Sequence, residues 1–248
     1  MKPHRIEAVD ALRGVALVWM AVFHGCFDLI NAGLLSANFY SDPLWTWQRS
    51  CILSLFLLCA GAGQALAFHQ GQSWRRFGVR WLQIAGCAAL VSLGSALMFP
   101  NSFIYFGVLH GMAVMLVIVR LTASWGRWLW LLGALVWATY FLTPWAFDSG
   151  WLSPAWNTKP LNWIGWISVK PITEDYVPLV PWLALMWWGM AATQWWLARP
   201  LSQKPTLIRL PLLPLLPQLA RLGRWSLSFY MLHQPVLLGA LWAWTTLT

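Results

Sequence analysis

Residues 9–32 read VDALRGVALVWMAVFHGCFDLINA, and this stretch decides what kind of protein the chain is. A mostly apolar run of 24 residues is long enough, as a helix, to cross the ~30 Å hydrocarbon core of a bilayer. Yet it carries Asp10, Arg13, His24, Asp28 and Asn31. At 100° per residue these five project within one stripe about 60° wide, while Trp19 points the opposite way, as a lipid-facing aromatic does. Ionisable side chains inside a membrane are costly, so the stripe must face protein or water, and it marks a functional site.

The rest of the chain agrees with a membrane setting. Hydrophobic residues make up 59% and charged residues 9% of 248, and mean hydropathy is +0.59. So few charges cannot cover a water-soluble globule. Six further apolar runs, at 50–68, 81–99, 103–120, 127–143, 177–198 and 225–246, predict an all-α, polytopic integral membrane bundle of about seven transmembrane helices forming a single domain. The runs are continuous rather than alternating, which excludes a membrane β-barrel. The first is too long and too charged for a cleaved signal peptide and is expected to stay as the first helix. Cys26, Cys51, Cys59 and Cys87 lie inside apolar runs with neither disulfide-scaffold nor zinc spacing.

A net charge of +9 raises the question of nucleic acid, and placement answers it. With the N-terminus inside, the inner segments hold Lys2, Arg5, Arg75, Arg76, Arg80, Arg120, Arg127, Arg199, Lys204, Arg209, Arg221 and Arg224. The outer segments hold only Arg49, Lys159 and Lys170. Twelve against three is a positive-inside bias, so the basic residues are orientation signals, the C-terminus is expected outside, and nucleic acid is no partner. Two connections are long. Residues 144–176 form an outer loop with Trp145, Trp151, Trp156, Trp163 and Trp166, and residues 199–224 form an inner loop containing LPLLPLLP at 210–217. Those prolines disfavour a regular helix and place the segment at the interface or between helices.

On the stripe, Arg13 lies near the inner mouth and His24 about 16 Å further along, in the outer half. Asp28, one turn beyond, is expected to orient the imidazole. His110 has a similar depth in its own span and is a candidate ligand of a substrate. On the last helix Ser226, Tyr230 and His233 share a face in what reads as the cytoplasmic half, with Gln234 beside them. Gly61-Ala-Gly63 reads as a helix-packing motif.

Several segments carry a resemblance. Arg5-Ile-Glu-Ala-Val-Asp-Ala-Leu-Arg-Gly14, with Met20-Ala-Val-Phe-His24 and Phe27-Asp28-Leu29, opens the chain. Phe106-Gly-Val-Leu-His110, Tyr176-Val-Pro-Leu-Val-Pro-Trp182 and Leu222-Gly-Arg-Trp-Ser-Leu-Ser-Phe-Tyr230 running into His233-Gln-Pro235 follow in order. Together they resemble a bacterial membrane family sharing the catalytic domain of heparan-alpha-glucosaminide N-acetyltransferase, and the likeness spans almost the whole chain. The resemblance implies an inner-membrane acyltransferase taking acetyl from cytoplasmic acetyl-CoA to an amine or hydroxyl acceptor, such as a carbohydrate, on the far side. The wider group of membrane acyltransferases carries a basic residue and a histidine with ten residues between them, as Arg13 and His24 stand here.

Under that reading His24 is the base or transient acyl carrier, Asp28 its orienting carboxylate, and Arg13 a group that positions the donor or stabilises charge. Arg80 and Arg224, at helix ends, are candidates for the CoA phosphates, with Tyr230 and His233 as further donor-site groups. His110, Asp175, Tyr176 and Trp182 are candidates for the acceptor. The thioester needs no metal for activation. Rival readings are a proton-coupled transporter using the stripe, a haem protein with His24 and His110 as axial ligands, and a His24–Asp28–His110 metal site. The lipid bilayer is the evident partner, and a homo-oligomer is compatible with the sequence.

Overall fold

The computed structural model describes residues 6–39, 41–200 and 215–247. Among them the regular elements are helices: α1 Glu7–Asn31, α2 Pro43–His69, α3 Trp74–Met98, α4 Val108–Leu121, α5 Trp128–Asp148, α6 Lys159–Asn162, α7 Trp182–Ala198, α8 Leu216–Arg224 and α9 Ser226–Leu247. The one strand-like contact among the described residues is an isolated parallel bridge between Phe106 and Tyr176. Seven of these helices fall on the seven apolar runs. Of them, α1, α2, α3 and α5 are long and apolar enough to cross a membrane. The others differ for visible reasons. α4 has 14 residues, about 21 Å of helix, and α7 has 17, about 26 Å, both short of the ~30 Å core. α9 has 22 residues, but Ser226, Ser228, His233, Gln234 and Pro235 dilute its apolar content.

The chain divides into two compact units, and the division falls within α2, after Cys59. The first runs over residues 60–200. Here the expected span from 103 becomes helical only at Val108, because residues before it are extended and tied to the loop that follows α5. That loop is ordered by its own polar groups. Asn162, 1% exposed, donates to the Tyr105 hydroxyl at 2.9 Å and the Asn157 carbonyl at 3.3 Å. The Tyr176 hydroxyl donates to the Asn162 carbonyl at 2.6 Å. Thr173 donates to the Phe103 carbonyl at 2.9 Å, and Trp166 donates to Thr139 on α5 at 3.1 Å. Trp156, Trp163 and Trp166 are half-buried within the loop, whereas Trp145 and Trp151 are exposed.

Arg120, counted above as an orientation signal, proves to be buried at the end of α4. Its guanidinium lies 5.9, 5.2 and 5.7 Å from the rings of Phe68, Trp74 and Phe77 and donates to the Gln72 carbonyl between α2 and α3. Cation–π attraction and a charge-assisted bond thus hold that turn. Gly61 serves packing, as its motif suggests, since a Cβ there would strike the Met186 carbonyl of α7.

The second unit holds α1, the first part of α2, α8 and α9. Leu17, Met20, Phe23, Phe39 and Ile52 form its core. Trp19 is half-buried against that core and donates to Gln48 on α2 at 3.1 Å, so the lipid-facing expectation for it is corrected. The 199–224 connection supplies α8. Pro217 stands in its first turn, where a missing amide costs no helix bond. Residues 201–214, including Lys204, Arg209 and most of the proline run, lie outside the described residues, as do Lys2 and Arg5.

α8 runs antiparallel to α1 in backbone contact. A Cβ on Gly14 would meet the Leu219 carbonyl, and one on Gly223 would meet the Asp10 carbonyl. The chain then turns, and α9 runs beside the later part of α1, with Leu237 3.8 Å from where a Cβ on Gly25 would stand. The obstacles at Gly14 are main-chain atoms that cannot swing aside. Gly14→Leu is therefore expected to lower Tm by roughly 5 °C or more in thermal unfolding of the detergent-solubilised protein. Gly239→Leu, where no atom stands within 4 Å, is expected to change it by about 1 °C or less.

Candidate active site

The polar stripe of α1 is resolved by the second unit in two places. Near the start of the helix, Arg13 donates to Asp10 at 3.3 Å and to the Cys59 carbonyl of α2 at 3.1 Å. Asp10 is buried beneath the α8 contact. The guanidinium therefore joins two helices and neutralises a buried carboxylate, as a charge in an apolar setting must be.

Further along, α9 covers the stripe. The His24 and His233 ring centroids are 5.1 Å apart, with planes at 68°. Phe23 packs edge-on to His24 at 5.8 Å. His233 Nδ1 lies 2.6 Å from the Tyr230 carbonyl, and the Tyr230 ring is 5.6 Å from the imidazole. One residue on, Gln234 donates from Nε2 to both oxygens of Asp28, at 2.9 and 3.0 Å. Asp28 is only 6% exposed, so this bidentate grip is what makes its burial tolerable.

Two expectations are corrected here. Asp28 does not hydrogen-bond His24; its carboxylate is taken by Gln234, because α9 places an amide within reach of both oxygens. His233 and Tyr230 do not lie at a different depth from His24. α9 begins only after α8 has doubled back along α1, so its second turn arrives at the level of His24. The sequence grouped Tyr230 and His233 correctly on one face, but no local pattern could reveal which part of α1 they meet. Gln234, noted only as a neighbour, turns out to hold Asp28.

The other candidates occupy different settings. Arg224 is exposed at the end of α8, and Arg80 is exposed on α3, donating to Gln83 at 3.3 Å. In the first unit, His110 Nδ1 accepts from the Gly107 amide at 3.3 Å, which leaves the proton on Nε2, 3.0 Å from the Ser92 hydroxyl. Ser92 in turn donates to the Ile104 carbonyl at 2.6 Å. With both ring nitrogens engaged, His110 caps its own helix and is poorly suited to bind haem or metal. Asp175 accepts from the Val108 amide at 2.7 Å, satisfying a free donor at the start of α4. Burial, and then the Tyr105 phenol, push the Tyr176 hydroxyl well above its usual pKa range, so it remains a donor to Asn162. Trp182 opens α7 and is half-buried. Ser92, Asn162 and Tyr105, which complete this network, carried no signal in the sequence beyond being polar.

Chemically, the second unit offers a half-buried imidazole that no side chain hydrogen-bonds among the described residues, a second imidazole against it, and a carboxylate one turn away. That set suits proton transfer or nucleophilic attack. Among the described residues no group of three or more His, Cys, Asp or Glu is placed to hold a metal ion.

Comparison with known proteins places this site in context. No curated protein and no solved structure matches the chain. The family model for heparan-alpha-glucosaminide N-acetyltransferase, catalytic, matches residues 5–235, which takes in the α1 stripe, α8 and the His233–Gln234 pair. An integral membrane protein whose match runs over nearly its whole length, this chain belongs to the heparan-alpha-glucosaminide N-acetyltransferase catalytic-domain family of membrane acetyltransferases.

Proposed function

We propose that the protein transfers an acetyl group from cytoplasmic acetyl-CoA to an amine or hydroxyl, carried on a sugar, at the outer face of a bacterial inner membrane. The proposal takes seven crossings, an inner N-terminus and an outer C-terminus. The observation that carries it is His24, an imidazole on the polar face of α1 held among Phe23, His233 and the Asp28–Gln234 pair. Family membership supports the reaction class.

In this reading His24 removes the proton from the acceptor N–H or O–H while that atom attacks the thioester carbonyl. As the C–S bond breaks, the imidazolium returns the proton to the CoA thiolate. The ring contacts of His24 with Phe23 and His233 favour this role, because among the described residues no hydrogen bond to another side chain occupies the base. Arg13, about 16 Å away along α1, is fixed by Asp10 and Cys59 at the inner end of the stripe. That separation suits a donor whose long pantetheine arm places its phosphates away from its thioester. Arg80 and Arg224 are exposed, and among the described residues no carboxylate holds either in an ion pair, so they are available to phosphates.

His24→Ala is expected to bind acetyl-CoA as the native protein does but to turn over at about one per cent or less, since a positioned base typically contributes 10²- to 10⁴-fold. Labelled acetyl-CoA, with matched amounts of folded protein and a panel of amino sugars, measures this; near-native turnover would remove His24 from the mechanism. Acetylated His24 in the intact mass spectrum would assign the acyl-carrier route instead. Arg80→Ala and Arg224→Ala are each expected to weaken CoA binding about tenfold, and unchanged affinity in both would leave them as orientation signals alone.

A further inference from the structure

Two buried acceptors on successive residues of α9, His233 Nε2 and Gln234 Oε1, have no hydrogen-bond partner among the described residues. For His233 the proton's place follows from chemistry. Nδ1 faces the Tyr230 carbonyl at 2.6 Å, an oxygen that can only accept, so Nδ1 carries the hydrogen and Nε2 presents a lone pair. An unpaired buried acceptor is costly, and a retained one asks for a donor. The polar ring beside it is His24, at 5.1 Å between centroids.

We infer that His233 is the positioning residue and proton partner of His24, so that the site's base is a pair of imidazoles rather than one. The chemistry rests on the acyl-transfer reading, while the pairing rests on geometry alone. When one nitrogen of His24 takes the proton from the acceptor, its other ring nitrogen gives its hydrogen to His233 Nε2. A bond from acceptor to acetyl carbon forms, and the positive charge comes to rest on His233, whose Nδ1–H then donates more strongly to the Tyr230 carbonyl. As the C–S bond breaks, the proton returns by the same path and ends on the CoA sulfur. One acyl bond has exchanged sulfur for nitrogen or oxygen, one proton has gone the other way, and no oxidant or reductant enters.

The surrounding charges are compatible with a cation there. On α1, Asp28 sits one turn beyond His24 and is bound to the residue next to His233. On α9, Tyr230 is the other titratable group at the pair. The packed helix α8 brings only Arg221 and Arg224, both exposed. Phe23 and Phe229 complete the walls with aromatic faces.

The test uses the full chain labelled with ¹⁵N-histidine in lipid nanodiscs. In the native protein, His233 is expected as the Nδ1–H tautomer, and the ring shifts of His24 and His233 should move together through two separated protonation steps. In His233→Ala and His24→Ala, the remaining ring should titrate in a single step. Independent single steps in the native protein, or an Nε2–H tautomer at His233, would overturn the pairing whether or not acetyl is transferred. A parallel turnover arm reads the consequence. His233→Ala should lose about 10- to 100-fold in kcat with acetyl-CoA affinity unchanged, and added imidazole should restore part of it. His233→Phe, which fills the space, should not be rescued. Equal loss in both with no rescue would make His233 a packing residue. Paired titration in a protein that never consumes acetyl-CoA would sink the acyl-transfer reading and leave the pair standing.

Discussion

A helix that carries charge into hydrocarbon has to be covered by protein along that face, and α1 sets this constraint for everything packed on it. An ionisable group at the centre of a membrane helix costs roughly 2.5–3.5 kcal/mol by insertion scales, and the polar stripe of α1 carries Asp10, Arg13, His24 and Asp28. The second unit answers it stepwise. α8 doubles back along the first half of α1 in backbone contact through Gly14 and Gly223, closing over Asp10. α9 then covers the second half, giving Asp28 an amide and His24 a second imidazole. Remove α8's contact and α9 would arrive at another level, so the geometry of the site depends on two glycines far from its chemistry.

The first unit solves a different problem. α4 is helical only from Val108, and the free amides at its start are satisfied by His110 from within and by Asp175 from the loop that follows α5. Asn162 and the two tyrosines then bind the loop to the segment before α4. Asp175 and Tyr176 are thus engaged in holding the loop beside the start of α4, while His110 caps that helix from within.

Much of this was legible in the sequence because it depends on period and composition. The helical runs, the stripe on α1 and the shared face of Tyr230 and His233 all follow from 3.6-residue repetition. What was not legible is what lies beside what. Asp28 and Gln234 are separated by 206 positions, and nothing local distinguishes an aspartate meant for a nearby histidine from one meant for a distant amide. Trp19 looked lipid-facing because an angle around one helix does not say where the next helix stands. Arg120 looked like an orientation signal because aromatic residues spread over two other helices make its box only after folding.

The proposed reaction carries an acyl group past the α1 stripe from one face of the membrane to the other. The most direct measurement reconstitutes the protein in sealed liposomes in one orientation, with labelled acetyl-CoA confined to the cytoplasmic side and a panel of amino sugars and sugar alcohols confined to the other. Labelled acetyl esters or amides should appear on the acceptor side, with free CoA released in equal amount on the donor side. Intact acetyl-CoA across the whole panel, or product formed only when donor and acceptor share one side, would contradict it.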